Sequence, residues 1–503
     1  MKKVLIISSL LSATLFADHY FNIDKKVSLT KLHSYAPLSK SRSYTPSINY
    51  YKNGSGMRFG VDHKLIINFS DLSIQQYIEK EYSLHFEKSL SEYMYVYSID
   101  DIDEVLKISN EINNIKGVKF SHPDFILDRK VRSNDPLYNR SWHLGRINVE
   151  KAWKYTKGRG IAVGVYDEGI DIEHEDLRDN IIGFGNYSTG LKTLTMIKNT
   201  NQLDNNSKNA PSGISDTWHG TACAGIIAAS GDNNLGGVGV APQAKLIVAR
   251  YSKNNISDDS QALVDMANEG ASIISNSWGT NSMLPSFNET LKQISTEGRD
   301  GKGVLIFFAA GNDGCNMDKY FELVGDDDDK RLVCRNSKIN DQTSPINDES
   351  ESPYVISIAS ATYNNNIANY SNYGSAIDFV APGGARGDSI ITTDATGKNG
   401  FDYGNYTPSS NGFSGTSASA PIAAGIAALV LSENPNLSKE EVVDILKLTA
   451  HKYQKSRYNY DTDGRNDHWG YGLLDAGDAV ELASTYGKIK VTNFAKTIYS
   501  NMH

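Results

Sequence analysis

The sequence predicts an α/β protein with a mostly parallel sheet flanked by helices, preceded by a small α+β domain. Two observations support this prediction. Over most of the chain, short apolar strands bounded by Gly or polar residues alternate with helical segments, which is typical of parallel sheets whose strands are joined by helices. Between residues 57 and 130, a separate pattern of strand, helix, strand, helix and strand precedes this alternation.

The larger domain is predicted to span residues 133–486. Strands are predicted over residues 161–166, 245–249, 273–277 and 304–309. Helices are predicted over residues 221–230, 259–268 and 417–431. The last of these is apolar nearly all round, which indicates a central, buried helix. Functional residues of such sheets collect at the carboxyl ends of the strands, so we expect the site at that edge.

The smaller domain has a compact module at residues 57–130. Strands are predicted over residues 64–69, 93–99 and 117–123. Helices are predicted over residues 73–82, with Ser73 as N-cap, and over residues 102–115. Residues 18–56 are polar and are predicted to be poorly ordered. A basic segment at residues 129–132 separates the two domains.

The N-terminus predicts export. Lys2 and Lys3 precede an apolar run over residues 4–16, and Ala17 supplies a small residue for cleavage. This is the pattern of a secretory signal peptide over residues 1–17, too short to span a bilayer. We therefore expect a secreted or periplasmic protein. No membrane anchor is expected further along, and residues 487–503 are interpreted as a tail.

The net charge and the positions of the cysteines limit which classes of function are compatible with the sequence. The net charge of −9 argues against a nucleic-acid-binding protein, which usually presents a basic face. Cys315 and Cys334 bracket a polar loop, and an oxidising compartment favours a disulfide between them. Two unpaired thiols are the alternative. Residues 200–209 and 336–351 are predicted to be polar loop insertions.

Ser417 lies at the predicted start of the buried helix, within Gly415-Thr-Ser-Ala-Ser-Ala-Pro421. Unpaired backbone N–H groups at a helix N-terminus stabilise a developing negative charge. A serine there is suited to act as a nucleophile whose own N–H helps to bind an oxyanion. The simpler alternative is an N-cap serine.

Three further residues complete a possible catalytic set. His219 begins a small-residue helix and is followed by Gly220, while Asp167 follows the strand at residues 161–166. A hydroxyl nucleophile needs a general base, and the base needs a partner that orients it. Asn312 follows another buried strand and supplies a side-chain N–H for the oxyanion. In isolation, Asp167 and Asn312 would be interpreted as turn residues.

These segments resemble the subtilase superfamily, most of all its kexin/furin branch, from about residue 134 to residue 486. Val163-Gly-Val-Tyr-Asp-Glu-Gly-Ile170 resembles the aspartate motif and Gly415-Thr-Ser-Ala-Ser-Ala-Pro421 the serine motif. His219-Gly-Thr-Ala-Cys-Ala-Gly225 resembles the histidine motif in its kexin form, with Cys223 at the position where that branch has a cysteine. Together with the segment that carries Asn312, these make four motifs in the family's order, which is a specific signal.

The resemblance implies a subtilisin-like fold and a serine endopeptidase that works through an acyl-enzyme on Ser417. It also implies that residues 18–132 are a propeptide with a ferredoxin-like module, acting as inhibitor and folding template. Cleavage is then expected between Lys130 and Asn134. Whether a dedicated chaperone takes part is left open.

The resemblance also implies where substrate binds. Ser277, Trp278 and Gly279 match the segment to which an extended peptide adds as a β-strand; Trp278 also fits a core aromatic. Glu168 and Asp216 match acidic positions near the subsite for the second residue before the scissile bond. Two departures stand against strict dibasic specificity: Thr280-Asn-Ser282 replaces acids of the P1 pocket, and Gln261 replaces an acid of the P4 subsite. P1 and P4 denote the first and fourth residues before the scissile bond.

A calcium site is implied as well. It combines two carboxylates, one side-chain amide and three backbone carbonyls: Asp135 and Asp176, Asn233, and Ser230, Leu235 and Gly237. Ligands that are all oxygens suit Ca²⁺. A weaker acidic loop at residues 461–467 is interpreted as a solvated turn.

Three alternatives remain at the level of sequence. One is a processing peptidase limited to a few basic sites. Another is a non-catalytic relative that binds peptides, although all four catalytic positions are filled. The third is an adhesin on an α/β scaffold, for which the sequence shows no repeats.

Overall fold

The computed structural model describes most of the chain as two compact units, divided between Lys130 and Val131. The described residues are 18–22, 25–31, 49–53, 58–127, 133–189, 191–212, 217–252, 255–280, 283–318, 321–324, 331–334, 348–397, 400–402, 404–407 and 412–486. The predicted signal peptide, the basic segment and the tail lie outside them.

Within its described residues, the first unit contains nine strands and two helices. They are β1 (Asp18–Asn22), β2 (Lys25–Lys31), β3 (Asn49–Asn53), β4 (Arg58–Val61), β5 (Lys64–Phe69), α1 (Gln75–Glu81), β6 (His85–Ser91), β7 (Met94–Ser98), α2 (Val105–Ile112), β8 (Val118–Pro123) and β9 (Ile126–Leu127). One antiparallel sheet has the order β6-β7-β5-β8. With α1 and α2 between its strands, it has the βαββαβ arrangement of the predicted ferredoxin-like module.

Three expectations for this unit were wrong. Strand β6 was missed because its side chains are all exposed, so it has no alternating apolar pattern. Ser73 is not an N-cap; it lies in a 3-10 turn capped by Asp71, whose carboxylate accepts the Ser73 N–H at 2.9 Å. Residues 18–56 contain β1, β2 and β3, which form a second antiparallel sheet with β4 and β9. Backbone pairing forms such strands without an apolar period.

The second unit is built on a sheet of eight strands. Its elements are α3 (Trp142–Arg146), α4 (Val149–Ala152), β10 (Ala162–Asp167), β11 (Ile181–Asn186), β12 (Leu194–Met196), α5 (Thr217–Ala228), β13 (Lys245–Arg250), α6 (Ile256–Asn268), β14 (Ala271–Asn276), α7 (Pro285–Gly301), β15 (Leu305–Ala309), β16 (Phe321–Val324), β17 (Arg331–Cys334), β18 (Ile356–Ala361), β19 (Phe379–Pro382), α8 (Thr416–Glu433), α9 (Lys439–Thr449) and α10 (Ala476–Thr485). The sheet order is β12-β11-β13-β10-β14-β15-β18-β19. All pairings are parallel except that of β12 with β11. The predicted fold class is confirmed.

Helices cover both faces of this sheet. Helices α5 and α8 pack in a core on one face, and α6 and α7 pack in a second core on the other. Among the described helices, α8 is the one long and apolar enough to cross a membrane, and its side chains are almost all buried inside the unit. The prediction of a central apolar helix is confirmed.

Helix α5 begins earlier than predicted. It starts at Thr217 rather than at residue 221, so His219 lies within its first turn and not before it. The small-residue run that defined the prediction begins only after His219, because the first turn carries Trp218 and His219 at its entrance. Residues 336–351 were predicted to be loop, but Glu349–Glu351 form a 3-10 turn capped by Asp348.

Candidate active site

The predicted functional residues lie at the carboxyl edge of three neighbouring strands. Asp167 is the last residue of β10, Ser277 follows β14, and Asn312 lies three residues after β15. Since β10, β14 and β15 are adjacent and parallel, their carboxyl ends meet at one edge. The N-terminal turns of α5 and α8 contribute His219 and Ser417 to the same cluster.

Asp167 and His219 form a close pair. The Nδ1 atom of His219 lies 2.6 Å from Oδ1 of Asp167, which is 1% exposed. The Asp167 Oδ1 also accepts the N–H of Glu168 at 2.8 Å. Burial by itself lowers the pKa of His219, but the charge of Asp167 and the hydrogen bond to it outweigh burial, so the pKa is raised well above its usual value.

Gly220 allows this pair to form. A Cβ atom at residue 220 would lie 2.3 Å from the carbonyl oxygen of Gly169 and 2.9 Å from Cβ of Asp167. Any side chain there would therefore push α5 away from the end of β10. Gly220 therefore permits the close packing of α5 against the end of β10.

Ser417 is the second residue of α8 and is not its N-cap. Gly415 is the N-cap, with φ at 113°, a backbone conformation that favours glycine. The Ser417 hydroxyl donates to the carbonyl oxygen of Ser277 at 3.4 Å. None of the hydrogen bonds between described residues joins Ser417 Oγ to His219. The Sγ atom of Cys223 lies 4.0 Å from His219 Nδ1 and 3.5 Å from the Ser417 carbonyl oxygen, so it contacts both residues.

Asn312 has one end of its amide fixed. Its Oδ1 accepts the backbone N–H of Thr416 at 2.8 Å and the Thr416 hydroxyl at 2.9 Å. The same hydroxyl accepts the N–H of Gly311 at 3.2 Å. With Oδ1 occupied, Nδ2 is the atom left to donate to a ligand. As the second residue of α8, Ser417 likewise has an N–H with no carbonyl one turn earlier to bind.

The segment after β14 leads from the buried sheet to the surface. Ser277 is buried and Gly279 is exposed. Between them, the Trp278 indole donates to the Tyr166 carbonyl at 3.0 Å and packs against Tyr166 and Tyr251. Trp278 is thus a packing residue that holds the segment.

The structure describes one of the two acidic residues that were predicted to bind substrate. Glu168 accepts the Tyr251 hydroxyl at 2.9 Å, beside this segment. Asp216 lies outside the described residues. Gln261 lies on α6 and donates to Asp265 at 2.7 Å.

Residues 158–472, more than half of the chain, match the sequence profile of the subtilase family. This chain belongs to that family. A calcium-dependent protease of Trichormus variabilis is 30% identical over 458 residues, which cover 82% of this chain and 62% of the relative. The kexin of Saccharomyces cerevisiae is 30% identical over 401 residues, covering 74% and 42%.

The fold is also found in solved structures. The serine protease of Aeromonas sobria, solved in complex with a chaperone, superposes with a TM-score of 0.56 and 23% identity, covering 71% of this chain and 68% of that one. The chain spans less than two thirds of the length of the curated relatives named above.

Two carboxylates of this subtilase were not predicted at the site. Oδ2 of Asp348 lies where a Cβ on Gly279 would come within 2.4 Å. Glu349 is fully buried and accepts the Thr280 N–H at 2.9 Å and its hydroxyl at 2.5 Å; burial raises its pKa. Both lie near the end of the predicted polar insertion at residues 336–351, and no local pattern links them to residues 279 and 280. Residues 280–282 contain no acid. Asp348 and Glu349 instead bring two carboxylates to residues 279 and 280 from another loop.

The predicted metal ligands of this subtilase come together in part. Asp135 and Asp176 are buried; Asn233 donates its side-chain N–H to Asp176 Oδ1 at 2.7 Å and its backbone N–H to Asp135 Oδ1 at 3.1 Å. Ser230, Leu235 and Gly237 lie on the same loop, between α5 and β13. The Ser230 N–H donates to the Asp176 carbonyl at 2.8 Å.

The charges at this cluster fit a cation. Oδ2 of Asp176 is buried without a hydrogen-bond partner among the described residues. Burial first, and then the nearby charge of Asp135, raise the pKa of Asp176 to about 7. Two buried carboxylates with one unpaired oxygen, neither of which forms an ion pair with a cationic side chain of the described residues, suit a hard ion with oxygen ligands, such as Ca²⁺.

Proposed function

We propose that this protein is a serine endopeptidase that hydrolyses peptide bonds through an acyl-enzyme on Ser417. The observation that carries the proposal is the 2.6 Å contact between Asp167 and His219, next to a helix N-terminus that bears Ser417. Membership of the subtilase family supports the same reaction class.

Each residue has a defined role in this proposal. His219 removes the proton from Ser417 as the hydroxyl attacks the substrate carbonyl, after the serine side chain rotates away from the Ser277 carbonyl. Asp167 holds the imidazole in one orientation, and its charge stabilises the imidazolium. The oxyanion accepts hydrogen bonds from Asn312 Nδ2 and the Ser417 N–H. His219 then protonates the leaving amine, and water repeats the steps on the acyl-enzyme.

Cys223 is not the nucleophile in this proposal. Burial raises the pKa of its thiol to about 11, and the nucleophilic form of cysteine is the thiolate. At neutral pH the group is a neutral thiol packed between His219 and the Ser417 carbonyl. Its contacts support the positions of both residues.

Active-site labelling with a fluorophosphonate tests the reaction class, because only an activated serine reacts. The full chain should be labelled, and Ser417→Ala should not be. Ser419→Ala is the matched control: Ser419 lies on the same helix and donates to the Ala381 carbonyl at 3.1 Å, away from His219. Labelling of Ser417→Ala, or none of the unmodified protein, would contradict the proposal.

The first unit is proposed to be the propeptide, within residues 18–132. Its support is a hydrophobic core of its own, which includes Leu65, Ile67, Tyr97 and Ile112, and the βαββαβ arrangement. Self-processing between Lys130 and Asn134 predicts that Ser417→Ala remains full length while Ser419→Ala is cut. N-terminal sequencing of both purified proteins checks this, and a cut Ser417→Ala protein would refute self-processing.

Export, calcium binding and a disulfide complete the proposal. Export is supported by the sequence of residues 1–17 alone, and its product is secreted or periplasmic. A Cys315–Cys334 disulfide suits that compartment; the side chain of Cys334 lies outside the described residues. Calcium is supported by the Asp135 and Asp176 cluster, and relatives include proteins named calcium-dependent proteases.

A preference for a basic P1 residue is a second candidate, favoured by Asp348. Its Oδ2 faces Gly279, on the segment proposed to bind the acyl part of the substrate, and a carboxylate there attracts an arginine or lysine side chain. Asp348→Asn should lower kcat/KM for P1 Arg peptides about tenfold or more relative to P1 Leu peptides. Asparagine keeps the cap of the 3-10 turn. An unchanged Arg/Leu ratio would remove this preference from the proposal.

A further inference from the structure

A cavity of about 450 Å³ lies next to the loop that carries Asn312. Its lining comes from the loop between β18 and β19 (residues 366–373), from the segment between α9 and α10 (residues 454–468), and from Gly314, which follows Asn312 closely in the chain. Of the four residues proposed for catalysis, none lines this cavity. Its volume is in the range of pockets that bind small molecules. The cavity is therefore a candidate for a second site.

A column of stacked side chains forms one part of the lining. The rings of Tyr373 and His468 are nearly parallel, with centroids 4.3 Å apart and an angle of 12° between their planes. The ring centroid of Tyr458 lies 4.7 Å from that of His468, and Cζ of Arg457 lies 5.3 Å from the ring centroid of Tyr458. Each side chain limits the movement of the next, so the exposed guanidinium of Arg457 is held in place at the end of the column.

Hydrogen bonds fix other parts of the lining. The Gln454 side chain donates to Oδ1 of Asn366 at 2.6 Å, and the Gly314 N–H donates to the Tyr370 carbonyl at 2.6 Å. Ser371, another lining residue, is buried. A preformed cavity loses little conformational entropy when a ligand binds. The cavity is therefore suited to bind a ligand without rearrangement.

The lining carries a positive charge. Among the described residues that line the cavity, Arg457 is the one side chain that is charged at neutral pH. Burial lowers the pKa of His468; the charge of Asp467 opposes this lowering, and that of Arg457 adds to it, so the imidazole is neutral at neutral pH. One guanidinium balances a ligand with one negative charge, such as a carboxylate, whereas a phosphate dianion would keep an excess of negative charge.

Polar groups of the lining are left for a ligand. The Arg457 guanidinium and the side-chain amide of Asn369 form no hydrogen bond with another described residue. Stacking on Tyr458 uses the face of the guanidinium, and its N–H groups lie in its plane, where they match the two oxygens of a carboxylate. The amides of Asn369, Asn366 and Gln454 offer both donors and acceptors, which suits hydroxyl or amide groups close to that carboxylate.

We infer that this cavity is a binding site for a small polar monocarboxylate, whose carboxylate pairs with Arg457 and whose hydroxyl or amide groups bind the neighbouring amides. An acidic sugar and an acidic amino acid share this chemistry. The inference goes beyond the proposed peptidase reaction and does not depend on it, because binding is measured without turnover.

Saturation-transfer NMR titrations of the purified protein test the inference with two acids and their neutral analogues. The acids are D-galacturonic acid and N-acetyl-L-glutamic acid α-amide; the analogues are D-galactose and N-acetyl-L-glutamine amide. At least one acid should bind with a dissociation constant on the order of 1 mM, and its analogue should bind about tenfold more weakly. The acid that binds identifies the source of the carboxylate. No saturation by either acid, or equal affinities of acid and analogue, would overturn the inference.

Substitutions in the lining assign the binding to the cavity. Arg457→Gln should weaken binding of the acid about tenfold or more and leave that of the neutral analogue unchanged. Asn369→Asp adds a negative charge to the lining and should also weaken binding of the acid, without any change at Arg457 itself. Thermal unfolding verifies that each variant is folded.

Lys455→Gln is the matched control, because it removes a positive charge from an exposed residue of the same segment that does not line the cavity. In about 0.15 M salt this change should alter the affinity for the acid less than about twofold. Undiminished binding of the acid to Arg457→Gln, or an equal loss in Lys455→Gln, would refute the assignment of the carboxylate to this cavity.

Discussion

At the scale of single residues, the orientation of the Asn312 amide illustrates how the site is prepared before substrate arrives. Thr416 donates twice to Asn312 Oδ1, through its N–H and its hydroxyl. The hydroxyl in turn accepts from Gly311, so the amide is linked to both the end of β15 and the start of α8. An oxyanion donor fixed in this way needs no reorganisation during the reaction.

Substitutions at these two residues should therefore reduce turnover by different amounts. Asn312→Ala removes the donor itself, and kcat should fall about 100- to 1,000-fold, a range known from removal of such a donor in a subtilisin, which belongs to the same family. Thr416→Val removes only the hydroxyl bond, so a fall of about tenfold is expected, and Thr416→Ser should restore the rate. The check is kcat and KM on one peptide; a loss confined to KM would argue against a role in the transition state.

The residues predicted for the site lie in motifs that can be recognised in the sequence, whereas the long-range contacts around the site could not be recognised. Asp167, His219, Ser417 and Asn312 each follow a strand or begin a helix, so their positions could be recognised locally. Asp348 meets Gly279 from a loop about seventy residues later, and Phe401 meets Trp218 from even further along. Neither contact leaves a periodic or spacing signal, so only the folded chain reveals them.

At the scale of elements, helix α10 is attached to the domain by a charged network. Its N-cap residue Asp475 lies 2.9 Å from His451 Nε2, and Asp478 lies 4.0 Å from the same atom. Lys151 of α4 binds Asp478 and Glu481 of α10, each at 2.5 Å. The hydrogen bond to Asp475 is the main cause that raises the pKa of His451, against a smaller lowering by burial.

This network predicts a pH dependence of stability. A histidine whose pKa is raised on folding stabilises the folded state fully at pH values below its unfolded pKa, about 6.5, and loses this contribution as pH rises through its folded pKa. His451→Gln should therefore be less stable than the unmodified protein at about pH 5.5, by less than about 1 kcal/mol because His451 is half exposed. The two proteins should converge above the folded pKa. Urea midpoints from pH 5.5 to 8.5, at constant calcium, measure this difference; a gap that widens with pH would contradict it.

Element boundaries show why the fold class was predictable while several elements were not. Buried parallel strands such as β13 and β15 contain continuous apolar runs between polar or Gly residues, so their pattern identified the sheet. Strand β6 and the strands before residue 56 depend on backbone pairing with neighbours, which local composition does not encode. The start of α5 was predicted four residues too late because Trp218 and His219, in its first turn, do not belong to the small-residue pattern.

At the scale of the whole molecule, the cluster around Asp176 connects parts of the second unit that are far apart in sequence. Asp135 precedes the first helices, Asp176 lies between β10 and β11, and Asn233 follows α5. The unpaired Oδ2 of Asp176 costs stability when no cation is present. With a cation bound, the same carboxylates tie the three segments together. Stability of the folded unit should therefore depend on calcium through mass action.

Calcium should consequently stabilise the unmodified protein, and a substitution at Asp176 should remove this stabilisation. In calcium at about 100 times its dissociation constant, the unmodified protein should gain about 2.7 kcal/mol over its stability in chelator, and magnesium should replace calcium poorly because it favours a smaller octahedral shell. Asp176→Asn removes the buried charge but keeps the oxygen that accepts from Asn233. It should be at least as stable as the unmodified protein in chelator and clearly less stable in calcium.

Asp179→Asn, the same change at an exposed position of the same segment, should keep the full calcium effect. Thermal unfolding of the three proteins in both buffers measures these differences, and an equal calcium effect in Asp176→Asn would show that the ion binds elsewhere.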